Sequence, residues 1–131
     1  MQQHWIILQP KALIRFFGKK LVLVVSIFPL IWVANLMIFA IRAKYYLGHW
    51  PKPYHPDPKV LPFVIHAGLL WLGVPAVLST LIIMPFFLLL SFKKNSFSVP
   101  LKLLILFALG WFFIFLMTFI PPIDFVTWFL D

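Results

Sequence analysis

Three long apolar runs alternate with short polar segments along this chain. The first occupies residues 21–41, LVLVVSIFPLIWVANLMIFAI, and carries no charge. A helix of that length spans about 30 Å, the thickness of a bilayer's hydrocarbon core. Leu, Ile, Val and Phe each favour insertion by about 0.3–0.6 kcal/mol near the centre, which outweighs Pro29 and Asn35. Pro29 predicts a kink and a freed carbonyl one turn earlier. Asn35 needs a hydrogen-bond partner in lipid, and a neighbouring helix is the expected source.

The second run, residues 62–92, is longer than a bilayer requires, so it should tilt, bend or protrude. Pro75 and Pro85 are its expected bends, and Pro62 fits its first turn. Gly73, Ala76 and Thr80 fall at i, i+3 and i+7, which predicts one face of small residues for close helix packing. The third run, residues 99–120, is bulky with Trp111, Phe112, Phe113 and Phe115, and Pro121-Pro122 stops it. Ser98 suits its start. These runs predict an all-α membrane protein with three transmembrane helices in one domain covering residues 1–131.

The flanks add two smaller pieces. In residues 1–20, Lys11, Arg15 and Lys19 recur every fourth position, which puts them on one helical face among Leu13, Ile14, Phe16 and Phe17. This reads either as a separate N-terminal interfacial helix with snorkelling cations or as a basic extension of the first span. The run that follows is too long for the apolar region of a cleaved signal peptide. At the other end, Asp124 is placed to cap a short C-terminal interfacial helix whose Phe125, Val126, Trp128, Phe129 and Leu130 would lie at the membrane surface.

The loop at residues 42–61 is the one long polar stretch between spans. Pro51, Pro53, Pro56 and Pro58 each fix φ and push the preceding residue toward extended backbone. The loop is therefore expected to be stiff and close to polyproline II. Tyr45, Tyr46, Trp50 and Tyr54 suit the headgroup belt. Trp50, Tyr54, His55 and Asp57 are the candidate partner-binding residues of this loop.

Composition supports the membrane reading. The 131 residues are 63% hydrophobic and only 11% charged, where a soluble domain carries about 25% charged residues. The absence of cysteine removes disulfides, iron–sulfur clusters and thiolate zinc sites. The net charge of +8 does not point to nucleic acid, because the basic residues flank the apolar runs. Seven Lys/Arg lie beside the N-terminal flank and the 93–102 turn, against four in the 42–61 loop. The positive-inside rule then places the N-terminus in the cytoplasm and the loop and tail outside. An inner (plasma) membrane is the expected location.

Candidate chemistry is sparse. His49, His55 and His66 could meet at a metal only if the loop folded over the helix, and their spacing matches no ligand signature, so no metal site is expected. His66, with Trp71 five residues on, could hold a lipophilic cofactor such as a haem or chlorophyll-type pigment. The small residue that light-harvesting polypeptides place four positions before such a histidine is here Pro62. No paired carboxylates, nucleophile–base pair or phosphate loop occur, so no catalytic residue is assigned and the chain is not expected to be an enzyme. The segment GHWPKPYHPDPK, residues 48–59, followed by His66, resembles a G-x-x-P…P-D-P-K loop that joins two helices in small bacterial multi-span membrane proteins. That resemblance implies a bacterial inner membrane and no particular activity.

The expected function is a non-catalytic accessory subunit of a larger membrane complex, packing through helix faces and the loop. A lipid- or pigment-binding protein using His66 and the aromatic loop is the alternative. A small oligomeric transporter, with Asn35 or His66 lining an axis, is a further one.

Overall fold

In the computed structural model the described residues are 10–53, 55–93, 98–120 and 124–130, with side chains described from Phe17 and not at 92 and 93. They form four α-helices: α1 (Pro10–Leu47), α2 (Val64–Lys93), α3 (Leu101–Phe119) and α4 (Phe125–Leu130). Among the described residues there is no strand, and three helices are long and apolar enough to cross a membrane: Phe17–Leu47, Val64–Ser91 and Leu101–Phe119. The chain is an all-α, multi-pass membrane-type protein.

α1 is one continuous helix from Pro10 onward. The separate N-terminal interfacial helix is therefore replaced by a basic extension of the first span. The sequence there holds no proline after Pro10 and only a single glycine, Gly18, too weak a breaker to end a helix. The helix ends at Gly48, whose φ is 77° and whose N–H donates to the Lys44 carbonyl at 2.9 Å. This is a left-handed C-terminal cap, a conformation that glycine adopts without a Cβ penalty. α2 begins at Val64, so Pro62 precedes the helix instead of lying in its first turn; the Phe63 N–H turns back to the Leu61 carbonyl at 2.8 Å. α2 then runs through Pro75 and Pro85 without ending. α3 has Pro100 at its N-cap with no side-chain cap, so Ser98 does not start it.

α1 is the hub. α2 and α3 both pack against it, and their own meeting is made by side chains. Trp111 Nε1 of α3 donates to Thr80 Oγ1 of α2 at 3.2 Å. The main core lies at the loop end, where Leu36, Phe39, Ala40 and Ala43 of α1 meet Leu61, Ala67, Leu70, Ile114 and Met117. A smaller cluster of Val22, Phe87 and Leu103 closes the opposite end.

The short C-terminal helix turns its apolar side chains into the bundle. Phe125, Val126, Trp128 and Phe129 are buried in the main core. Trp128 stacks on Phe39 with centroids 5.7 Å apart, and Phe129 meets the same ring edge-on at 5.7 Å. Thr127 Oγ1 donates to the Thr118 carbonyl at 2.6 Å, which ties α4 to the end of α3. Four apolar side chains in six residues gain more from a ready core than from an interface. The loop and the tail thus share one end of the bundle.

Candidate functional site

The loop folds back on itself instead of extending. Lys52 and His55 exchange backbone hydrogen bonds of 3.1 and 3.0 Å. Pro58–Val60 forms a 3₁₀ turn, capped by Asp57 Oδ1, which accepts from the Lys59 N–H at 2.8 Å. The prolines restrict local backbone as expected, but burial of Pro51, Pro58 and Leu61 and the contact with α4 set the overall path. Trp128 Nε1 donates to the Pro56 carbonyl at 2.8 Å. Trp50 lies against Phe125 at 5.5 Å, with Lys44 Nζ 4.3 Å from its ring centroid.

These contacts redistribute the candidate partner-binding residues. Trp50 and Asp57 have structural work within the chain. His55 has its backbone in the Lys52 bridge and its side chain exposed. Tyr54 lies outside the described residues.

The small-residue face is also sorted. A Cβ on Gly73 would come within 2.5 Å of Trp32 Cδ1, so this glycine seats the indole of α1. Thr80 is buried; its hydroxyl donates to the Val77 carbonyl at 2.6 Å and receives Trp111. Ala76 is exposed. Asn35 is exposed too: Nδ2 donates to Ile31 of its own helix at 3.1 Å, not to a neighbouring helix of this chain. A second glycine contact was not singled out from sequence. At Gly110 a Cβ would meet Pro29 Cβ at 2.7 Å and the Leu30 nitrogen at 2.9 Å. The available signal was a lone glycine within an otherwise bulky third span.

His66 sits in the first turn of α2, half-buried, with its ring edge-on to Phe39 at 5.1 Å. Arg42 of α1 reaches it: Nη1 lies 3.1 Å from His66 Nδ1. A guanidinium offers donors only, so Nδ1 is the acceptor and the ring proton sits on Nε2. The guanidinium also lies over the Phe63 ring, 4.2 Å from its centroid. Among the described residues its partners are thus an imidazole and a phenyl ring, and no carboxylate pairs with it. An open groove of about 460 Å³ runs beside this pair, lined by Arg42, Pro62, Phe63, Val64, Ile65, His66 and Leu69.

Trp71 does not share that groove. Its ring lies against Phe129 at 5.2 Å, with Lys59 Nζ 5.9 Å away. His66 and Trp71 are therefore not brought to one site. The tautomer also bears on ligation. Binding a haem or pigment metal through Nε2 requires that nitrogen's lone pair, hence a proton on Nδ1 and loss of the Arg42 contact. Among the described residues no three His, Cys, Asp or Glu side chains come together as a metal site. In the sequence Arg42 is only a topology charge; its partner lies 24 positions away and becomes visible once α2 folds back.

In comparisons with known proteins, the chain matches no family model, no curated protein and no solved structure. The resemblance of the 48–59 loop accordingly carries no family assignment.

Proposed function

We propose that this protein is a non-catalytic accessory subunit of a larger membrane complex, held there by the outward flank of α1. The observation that supports this reading is Asn35. It lies inside the first span with its side chain exposed, and it satisfies one amide N–H on its own helix. Among the described residues its Oδ1 and second N–H bond to no other helix of this chain. Desolvating an amide without partners costs about 1–3 kcal/mol by mutational scales, and a second helix that supplies them removes that cost. Ile31 and Ile38, also exposed, flank Asn35 on the same stripe and give a partner helix apolar surface to cover.

The proposed location is an inner (plasma) membrane with the N-terminus cytoplasmic, supported by the excess of Lys/Arg at the end opposite the loop.

The test is purification of the full chain from its native membrane in mild detergent, as wild type and as Asn35→Leu. A larger protein in stoichiometric amount with the wild type, lost from a folded Asn35→Leu chain, supports the proposal. A wild-type chain that runs alone or only with copies of itself overturns it, as does a partner retained unchanged by Asn35→Leu.

A further inference from the structure

The groove beside Arg42 is the strongest feature that the subunit reading leaves unused. Arg42 sits one helical turn, about 5 Å, before Tyr45 and Tyr46, and both tyrosines are exposed. Exposed aromatic rings of this kind mark the headgroup level of a bilayer. At that depth the abundant anions able to answer a guanidinium with no carboxylate beside it among the described residues are lipid phosphates.

The guanidinium is already held in place. His66 Nδ1 takes one N–H and the Phe63 ring supports its face, so little side-chain freedom is left to lose on binding. Four of the five guanidinium N–H groups stay available, in the fork geometry that matches phosphate oxygens. Below it, Ile65 and Leu69 line the groove one turn apart along α2, which descends from the loop end into the span. Both are exposed, Ile65 at 83% and Leu69 at 65%, and offer an apolar track for an acyl chain. Lys44 and Lys59 at the same end add positive charge and favour a headgroup with a net negative charge over a zwitterion.

We infer that the Arg42–His66 groove binds an anionic phospholipid, its phosphate on the Arg42 guanidinium and an acyl chain along Ile65 and Leu69. His66 acts as a positioning residue that holds the guanidinium over the groove. This inference does not depend on the subunit reading, because that reading rests on the Asn35 side-chain amide and this one on the Arg42 guanidinium, and either can fail alone.

The experiment uses the full chain in phosphatidylcholine bilayers with and without phosphatidylglycerol. Retained lipid is read by native mass spectrometry and protection by thermal unfolding. The wild type is expected to retain phosphatidylglycerol in preference to phosphatidylcholine and to be stabilised by it. Arg42→Gln is expected to weaken that retention about tenfold, the size of one lost charge-assisted contact. Arg42→Lys keeps the charge without the fork and falls between. Lys52→Gln, a loop charge away from the groove, changes little. Equal retention of both lipids by the wild type overturns the inference even if no Arg42 variant folds. So does an equal loss in Lys52→Gln, which would mean general loop charge. So does an Arg42→Gln chain that keeps its lipid but releases a co-purifying protein, which would give the groove to a protein carboxylate.

Discussion

The indole of Trp32 is seated on Gly73. A Cβ at Gly73 would stand 2.5 Å from Trp32 Cδ1 and 2.8 Å from Nε1, and that same nitrogen donates to the Leu70 carbonyl one turn earlier at 3.0 Å. The ring thus lies along α2 where only a hydrogen can face it. Gly73→Ala should force the buried indole to move and break its hydrogen bond, at about 1–3 kcal/mol. Detergent-titration unfolding measures this. A neutral Gly73→Ala would mean that α1 and α2 do not meet through this ring.

Gly110 and Gly68 make a matched pair. The Gly110 Cβ would collide with Pro29 and with the backbone nitrogen of Leu30, neither of which is the end of a flexible chain. Nothing lies within 4 Å of a Cβ on Gly68. Gly110→Ala should therefore destabilise by at least about 1–3 kcal/mol. Gly68→Ala should be neutral, or stabilising by up to about 1 kcal/mol through helix propensity. The same unfolding assay compares the two, and equal effects would refute the α1–α3 crossing at Pro29.

Trp128 fastens the tail and the loop together. Trp128→Phe keeps a ring on Phe39 but loses the bond to the Pro56 carbonyl, and should cost about 0.5–1.5 kcal/mol. Trp128→Ala also empties a buried site and should cost about 3–5 kcal/mol. Hydrogen exchange of the 3₁₀ turn at Pro58–Val60 should rise in both variants, more in the second. Unchanged exchange would separate the loop from the tail.

The loop and the tail share one end of the bundle, and Ser98 lies at the other. Because the chain has no native cysteine, single cysteines report sidedness directly. Lys59→Cys and Asp124→Cys should react with an impermeant maleimide from one side of sealed vesicles, and Ser98→Cys from the other. Labelling of all three from the same side would contradict three crossings.

The apolar runs determined the three spans by themselves. A stretch of this length and composition has few uses outside a bilayer, and lipid requires its backbone to close its own hydrogen bonds as helix. Tertiary structure decided which side chains meet. The small-residue stripe named Gly73, Ala76 and Thr80 alike, yet Gly73 faces Trp32, Thr80 faces Trp111 and Ala76 is exposed; spacing along one helix does not say where the bulky ring of another will fall. The loop's prolines fixed φ residue by residue, while the buried tail set its path. Arg42 and His66 are far apart in sequence, and one registered as topology and the other as a possible ligand. Folding α2 back against α1 turned them into one contact, because hydrogen-bond chemistry between distant residues depends on distance in space, which no local pattern carries.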